Sequence, residues 1–383
     1  MTIKDIARLS GYSIGTVSRV INQHPDVSEA ARKKILEIIA QENFQPNSNA
    51  KHLKQSHSTP ITIIVKGSSN LFLETLMEKA EKYLAQSGET SNVVFVNERD
   101  NEVRQAVQIC TERNPKGIIF LGGALENFRS DFGSINVPCV LISGWAKDLG
   151  YKNLSSFTTN DYDGARQAAE LLTNNGHRKF LIIGGYRTEE TDQVSSQRLN
   201  GFLSVLKEKN IPFDQNTQYV ESMFTMEDGY EKTLPALQRL PDTTAVFGLS
   251  DLVAVGIMRA AHDLGKYIPE DLSVVGYDGI SYTGYTVPRL ATIRQNIDRL
   301  VSEGVDDLLF RISYNKAASH KQIPADPVLH ESIRDLSRKN RCVRQKKPSG
   351  FFSDVSMICL SQCSGSCFIL LLFQASGIQQ NTW

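Results

Sequence analysis

The sequence predicts an α/β protein with an N-terminal all-α helix-turn-helix head, a hinge helix and two doubly wound α/β lobes. Three observations support this prediction. Three short helical patterns fill the first 42 residues, and a tight turn separates the first from the second. From Pro60 onward, short apolar runs alternate with helical patterns. The roughly 275 residues of this alternating region are long for one sheet and suit two similar lobes.

The first two helices of the head are bounded by capping and turn residues. The first is predicted over Ile3–Ser10, with Thr2 as its cap. Gly11 ends it, because glycine adopts the positive φ that a tight turn requires. Ser13 is expected to cap the second helix, Ile14–Asn22, whose buried stripe contains β-branched side chains.

A third helix is predicted over about residues 28–42, with inward-facing isoleucines that support the first two. In such a helix-turn-helix the second helix lies in the major groove of DNA. The alternative is a three-helix bundle with no role in DNA binding. A bundle alone does not require Ser18, Arg19 and Asn22 all to face solvent, so the DNA-reading interpretation is preferred.

The charge distribution agrees with DNA contact at one end. The chain has 42 basic and 42 acidic residues. Residues 1–58 contain eight Lys or Arg against five Asp or Glu, and residues 337–383 contain six against one. The middle of the chain is therefore acidic. A modestly basic head on an acidic body favours contact between the head and nucleic acid.

The segment after the third helix, Asn47–Gln55, is polar and short. Its only apolar side chains are Ala50 and Leu53, spaced three residues apart. A helix of this length is marginal in isolation, so we expect it to form only when something stabilises it. The alternative is a plain linker.

The alternating region predicts parallel sheets that are covered by helices on both faces. The predicted strands are Ile61–Val65, Asn92–Val96, Gly117–Leu121, Pro138–Ile142, Lys179–Gly184, Ala245–Gly248 and Leu272–Gly276. The predicted helices include Leu71–Gln86, Glu102–Arg113, Gln197–Lys209 and Leu252–Leu264. Neither glycine-rich phosphate-loop pattern occurs, which argues against a nucleotide-dependent enzyme.

Motifs for catalysis are also missing from the sequence: His-Glu-x-x-His, Cys-x-x-Cys and Gly-x-Ser-x-Gly do not occur. We therefore expect no enzymatic activity, no cofactor and no metal. Lys4 and Asp5 interrupt any apolar N-terminal signal, and no membrane segment is predicted, so a cytoplasmic location is expected.

The last residues, 337–383, do not fit this plan. They are first basic and then apolar and rich in cysteine, with Cys342, Cys359, Cys363 and Cys367. A metal site is one alternative, but the spacing of Cys359, Cys363 and Cys367, four residues apart, matches no known zinc pattern. We predict a disordered segment or one that is not a genuine part of the protein.

The motifs of the head are those of a known family. They are Thr2-Ile3-Lys4-Asp5-Ile6-Ala7, Gly11-Tyr12-Ser13, Thr16-Val17-Ser18-Arg19-Val20-Ile21-Asn22 and Pro46-Asn47. Across residues 2–55 they resemble the head of LacI/GalR-family bacterial transcription repressors. With the helix-turn-helix geometry, this resemblance implies DNA contacts from Thr2, Ser13, Ile14, Gly15, Thr16, Ser18, Arg19 and Asn22.

The resemblance also gives the hinge a role. It implies that hinge helices from two protomers pair in the minor groove, where Leu53 wedges between base steps. Ala50 lies beside this leucine, and Asn47 begins the segment. The recognition helix, which is the second helix of the head, differs in sequence from that of many relatives. Ile14 and Gly15 occupy positions where larger polar side chains are common in the family.

The alternating region resembles the regulatory domain of the same family, which shares the periplasmic-binding-protein fold. The motifs are Asp163-Gly164-Ala165, Gly176-His177-Arg178, Arg198-x-x-Gly201-Phe202, Ser250-Asp251, Gly276-Tyr277-Asp278 and Pro288–Gln295. The implied domains are 1–46 for the head, 47–59 for the hinge, 60–336 for the effector-binding and dimerisation domain and 337–383 for the tail. The lobes would be about 60–159 and 160–291, and the helix after Asn296 would rejoin the first.

By the same resemblance, the effector site contains Asp163, Arg198, Phe224, Ser250 and Asp278. Arg198 would hold two hydroxyls, Asp278 would accept from sugar hydroxyls, and Phe224 would pack against the apolar face of a pyranose. Ser250 stands where the family often has asparagine, and Asn160-Asp161 reverses a frequent pair. These departures leave the identity of the effector open.

The sequence thus predicts a sequence-specific DNA-binding regulator, a repressor of a carbohydrate-utilisation operon that is controlled by a small-molecule effector. Its expected partners are double-stranded DNA with a near-palindromic operator, a sugar and a second copy of the chain, with no membrane. One alternative is control by a purine or a partner protein. Another is a sugar-binding module whose head has no specific DNA binding.

Overall fold

The computed structural model describes residues 3–21, 27–41, 59–67, 70–187, 193–314 and 316–337. Ile14 and Ser18 lie in a described helix, but their side chains are not described. The predictions that lie outside the described residues concern Thr2, Asn22, the hinge helix with Asn47, Ala50 and Leu53, and the tail from residue 338.

The head consists of α1 (Ile3–Ser10), α2 (Ile14–Ile21) and α3 (Glu29–Gln41). Gly11 ends α1 with a φ of 74°, and its N–H donates to the carbonyl of Ala7 at 3.0 Å. A small apolar core unites the three helices through Ile6, Val17, Val20 and Ile35, which are all buried. The helical periodicity predicted this core.

The rest of the described chain is built from alternating strands and helices. The first series is β1 (Ile61–Lys66), α4 (Leu71–Gln86), β2 (Ser91–Val96), α5 (Glu102–Arg113), β3 (Ile118–Leu121), α6 (Leu125–Asp131), β4 (Cys139–Ile142) and β5 (Leu154–Thr159). The second series is α7 (Asp161–Asn174), β6 (Phe180–Ile183), α8 (Val194–Glu208), α9 (Gln215–Gln218), β7 (Tyr219–Val220), α10 (Met226–Arg239), β8 (Ala245–Gly248), α11 (Asp251–Asp263), β9 (Ser273–Asp278) and β10 (Ala291–Arg294). The chain continues through α12 (Ile297–Tyr314), β11 (His320–Ile323) and β12 (Asp326–Val328).

These strands form two six-stranded sheets in the order β11–β5–β4–β3–β1–β2 and β12–β10–β9–β8–β6–β7. Every pairing is parallel except that of β12 with β10. Each sheet is buried on both faces: Ile63 belongs to the apolar cluster on one side of the first sheet, and Ile64 belongs to the cluster on the other. The fold is the expected α/β architecture.

The last elements return to both sheets. Leu300 and Val305 of α12 pack in the same core as Ile63 of the first sheet. Strand β11 then joins the edge of the first sheet, and β12 joins the edge of the second. The chain therefore crosses between the sheets three times. Strand β12 is short, with only the three residues Asp326–Val328.

Candidate nucleic-acid interface and effector cleft

Helix α2 presents one face to solvent. Ser13 caps it, because the Ser13 hydroxyl accepts from the N–H of Thr16 at 3.1 Å and contacts the Thr16 hydroxyl at 2.9 Å. Gly15 and Arg19 are exposed, while Val17 packs inward. Space is open above Gly15, where an added Cβ would meet only the Ser13 hydroxyl at 3.7 Å. Gly15 and Arg19 are four residues apart and share one side of α2, so this side of the helix is accessible to a partner.

A cleft of about 520 Å³ lies between the two sheets. It opens at the carboxyl ends of parallel strands, where ligands of open α/β sheets bind: Lys66 ends β1, Ser143 follows β4 and Asp278 ends β9. Three of the five predicted effector residues line it, namely Arg198, Phe224 and Asp278. The structure therefore brings these three side chains together.

Arg198, near the start of α8, is buried in a network of polar and aromatic partners. Its Nε donates to Asp161 Oδ1 at 2.8 Å, and its Nη1 lies 3.3 Å from Asp278 Oδ1. The guanidinium also lies 3.8 Å from the ring centroid of Tyr277. Burial opposes the positive charge, but Asp161 and Asp278 outweigh that effect and raise the pKa of Arg198. The side chain is thus a fixed cation.

Asp278 has unusual backbone geometry and a shifted pKa. Its φ is 113°, in the left-handed region that only glycine adopts easily. Its Oδ1 accepts from Nε2 of Gln295 at 2.8 Å. Burial raises the pKa of Asp278 to about 6, although Arg198 and Gln295 oppose the shift. Among the described residues, none donates a hydrogen bond to Oδ2, and this oxygen is available to a ligand.

The loop that carries Asp278 is held by Asp251, which sequence reasoning did not identify as a site residue. This fully buried carboxylate accepts from the N–H groups of Gly279 and Ile280 at 2.7 and 2.9 Å and from the Thr292 hydroxyl at 2.6 Å. Burial, and then the charge of Asp278, raise the pKa of Asp251 well above its ordinary value. Its hydrogen bonds fix the chain immediately after the cleft residue.

Two predicted effector residues are placed elsewhere. Ser250 is buried at the start of α11, where its hydroxyl accepts from the N–H of Val253 at 3.2 Å. Asp163 is exposed in the first turn of α7, where it exchanges hydrogen bonds with Asn160 at 2.6 and 3.1 Å. Both are helix-capping interactions, and neither side chain lines the cleft. The nearby acid that does reach the site is Asp161, through Arg198.

The first sheet contributes cleft residues that sequence reasoning missed. Phe72 and Leu73 lie in the first turn of α4, after the capping residue Asn70. Lys66 ends β1 and forms a buried ion pair with Glu102. These positions carry a general signal, because the carboxyl end of a parallel strand and the start of the helix that follows it lie at the ligand-binding edge of the sheet.

One hydrogen bond joins the two walls of the cleft. Nε2 of Gln193, which precedes α8, donates to Oε2 of Glu126 in α6 at 3.0 Å. Tyr186 and Phe224 from the second wall also line the cleft. An aromatic and apolar surface with a few convergent polar groups is typical of a small-molecule site.

The described residues contain no helix that is long and apolar enough to cross a membrane. Within the same residues, no group of three or more His, Cys, Asp or Glu side chains is arranged to hold a metal ion.

An accessible recognition helix and a ligand-sized cleft in one chain define a DNA-binding transcriptional regulator with a small-molecule-binding domain. Family comparisons agree. Residues 2–47 match the model for bacterial regulatory proteins of the lacI family, and residues 169–333 match that for a periplasmic binding protein-like domain. The chain belongs to the lacI family of bacterial regulatory proteins.

Similar proteins align over nearly their whole length. The transcriptional regulator MalR of Clostridium butyricum is 33% identical over 339 residues, which cover 87% of this chain and 99% of the relative. The ribose operon repressor of Haemophilus influenzae is 32% identical over 338 residues, which cover 88% of this chain and 99% of the relative. A solved structure of the lac repressor dimer bound to operator and an anti-inducer is 24% identical in sequence. The alignment covers 87% of this chain and 99% of that chain, with a TM-score of 0.67. This structural likeness supports the fold.

Proposed function

We propose that the chain represses a carbohydrate-utilisation operon and is controlled by a sugar that binds in the cleft. The observation that carries this proposal is the convergence of Arg198, Asp278 and Phe224 on one cleft. A guanidinium and a carboxylate 3.3 Å apart can donate to and accept from adjacent hydroxyls. The nearby aromatic ring can pack against the apolar face of a pyranose.

The available atoms support this chemistry. Nε of Arg198 donates to Asp161 and Nη1 to the carbonyl of Leu249, whereas Nη2 has no acceptor among the described residues and can donate to a ligand. The matching acceptor is Oδ2 of Asp278. A pair of neighbouring sugar hydroxyls would satisfy both groups at once. The relative named ribose operon repressor supports a carbohydrate effector by analogy.

On the DNA side, we propose that α2 reads the major groove through the exposed face that includes Arg19. The proposed contacts are those of the sequence analysis: Thr2, Ser13, Ile14, Gly15, Thr16, Ser18, Arg19 and Asn22 in the head, with Asn47, Ala50 and Leu53 in the hinge. One head covers one half-site, so specificity requires a homodimer on a near-palindromic operator. The domain limits 1–46, 47–59, 60–336 and 337–383 belong to this proposal.

The two-walled cleft supplies a route from effector to DNA. A ligand that contacts both walls changes their relative position, and the Gln193–Glu126 hydrogen bond is a contact that such a change would break or strengthen. In a dimer this movement would alter the spacing of the two hinges. Effector and operator binding must then be coupled reciprocally, typically by ~1–3 kcal/mol.

The test is a gel-shift titration of the full chain against DNA from upstream of its own gene, with and without a panel of sugars. Specific binding that one sugar shifts, in either direction, supports the proposal. Specific binding that no sugar changes would contradict the sugar effector. Equal affinity for specific and scrambled DNA would favour a sugar-binding module without specific DNA binding.

A purine is the second candidate effector, and the aromatic lining favours it. Phe72, Tyr186 and Phe224 all line the cleft, and aromatic side chains stack on nucleobases as well as on sugars. Hypoxanthine and guanine therefore belong in the same titration. A response to a base alone would replace the sugar by a purine.

A further inference from the structure

Resting on the proposed sugar effector, we infer that the cleft selects an uncharged carbohydrate over a phosphorylated or carboxylated one. The positioning residue for this selection is Glu102, which is buried behind the cleft wall and neutralises Lys66. The cations in the cleft already have carboxylate partners.

Lys66 is the cation of the first wall. It lines the cleft, and 12% of its side chain is exposed. Its Nζ forms an ion pair with Oε2 of Glu102 and donates to the carbonyl of Asp100 at 2.9 Å. Two of the three ammonium protons are therefore committed to the protein, and the positive charge is matched by an adjacent negative one.

Glu102 is a fixed, fully buried counter-charge. It is the first residue of α5 and has no solvent exposure. Its Oε1 accepts from the N–H of Ala124 at 2.7 Å, and its Oε2 accepts from Nδ2 of Asn127 at 2.9 Å. Since a buried carboxylate persists only when it is paired and hydrogen-bonded, Lys66 and Glu102 hold each other in place.

Arg198 is the cation of the second wall, and it is matched in the same way. Asp161, buried behind it, accepts from its Nε, and Asp278 lies beside its Nη1. Arg198 therefore faces two carboxylates. It can donate to a hydroxyl, but its charge is already more than balanced.

The remaining charged side chains that line the cleft are at its rim. Arg99 is next to Glu98 in the chain, and Glu126 is exposed in the first turn of α6. Burial raises the pKa of Glu98, while Lys66 and Arg99 oppose that shift. Three lining cations thus face three lining carboxylates, and Glu102 and Asp161 add two more negative charges behind the wall.

An anionic ligand would therefore enter a site with a net negative charge. It would lose its hydrogen bonds to water and would gain contacts only with cations that are already paired with carboxylates. Both effects disfavour it. Hydroxyl groups need only donors and acceptors, which the cleft supplies. Phosphate esters and uronates share this disadvantage, because each brings a negative charge.

The experiment is titration calorimetry of the full chain with matched pairs of sugars. The pairs are glucose with glucuronate and glucose 6-phosphate, galactose with galacturonate, and ribose with ribose 5-phosphate; maltose and cellobiose are included as larger neutral sugars. We expect a neutral sugar to bind, and its anionic counterpart to bind at least about tenfold more weakly. Tighter binding by an anionic member would overturn the inference while leaving the sugar effector intact. If neither the neutral nor the anionic sugars bind, the sugar effector itself fails, and the inference fails with it.

A variant tests the role of Glu102 directly. Glu102→Gln keeps the side-chain shape but leaves the charge of Lys66 unmatched, so the ratio of anionic to neutral affinity should rise by about tenfold. Glu112→Gln is the matched control, because Glu112 is exposed on the same helix, ten residues or about 15 Å further along. The control should leave the ratio unchanged. A purely structural role for Glu102 would lower both affinities together and would not move their ratio.

Removing one partner of a buried ion pair can prevent folding. Glu98→Gln therefore provides a second variant at the exposed rim, where neutralisation should raise the same ratio in the same direction. An unchanged ratio in Glu98→Gln and in any folded Glu102→Gln protein would overturn the inference.

Discussion

Replacing Asp278 by asparagine should stabilise the ligand-free protein at alkaline pH. Burial raises the pKa of Asp278 to about 6 from an ordinary 3.8, against the opposing effects of Arg198 and Gln295. A difference of about two pKa units corresponds to roughly 3 kcal/mol of unfolding free energy, as an upper bound. Asparagine avoids the cost of burying the charge, can still accept from Gln295, and tolerates the φ of 113°.

The pH dependence follows from the direction of the shift. Because the folded-state pKa lies above the unfolded one, the native state holds its proton more tightly between about pH 4 and pH 6. The cost of the charge is therefore absent below about pH 4 and complete above about pH 6. The stability advantage of Asp278→Asn should be largest near pH 8 and should shrink as the pH falls.

Urea denaturation of both proteins at about pH 4.5 and about pH 8 measures this difference. Asp214→Asn is a control of opposite sign. Hydrogen bonds from the Asn216 N–H and then from the Thr217 hydroxyl lower the pKa of this exposed carboxylate, so its stabilising effect is present at high pH and lost on acidification. If Asp278→Asn is less stable than the parent near pH 8, or if its advantage grows in acid, the buried charge of Asp278 does not destabilise the protein.

Three further predictions concern DNA and assembly. Arg19→Ala should cost ~1–3 kcal/mol of operator binding and relax preference at one base pair; an equal loss against all single-base operator variants would make Arg19 a phosphate contact instead. Leu53→Ala should weaken operator binding and bending while calorimetry shows the effector affinity unchanged, whereas intact bending would remove its role as a wedge. Sedimentation at micromolar concentration should show a dimer whose operator affinity falls steeply with salt; a monomer with the same affinity would contradict the two-headed arrangement.

The parts of the fold that the sequence predicts well are those with strong local signals. Ser13 caps α2 and Gly11 ends α1, because their backbone requirements are local. The central strands, such as β3, are continuous apolar runs that are buried on both faces.

Strand β5 shows where local signals fail. It is fully buried but contains Ser155, Ser156 and two threonines, so its pattern does not indicate a core strand. Its polarity is satisfied by distant partners: the Ser155 hydroxyl accepts from Arg311, and the Ser156 hydroxyl contacts His320. These partners are more than 150 residues away in the sequence, and only the fold brings them together.

The predicted effector residues also fall into two groups, those that lie in the cleft and those that cap helices. Arg198 and Asp278 have the expected position in the cleft, because both lie at the ends of predicted elements that face it. Asp163 and Ser250 also lie at element ends, but their side chains cap their own helices. Motif position alone does not distinguish a cap from a ligand contact. Glu102 was missed because its importance depends on an ion pair with a strand 36 residues earlier.

The most direct test of the account is operator affinity measured with and without the sugar that calorimetry identifies, for the parent chain and for Asp278→Asn. We expect the sugar to change the operator affinity of the parent by about 5–150-fold, which corresponds to the usual range of coupling energies. We also expect Asp278→Asn to bind operator normally without sugar and to lose most of this response. A sugar that binds the parent but leaves its operator affinity unchanged would contradict the account, as would a full response from Asp278→Asn.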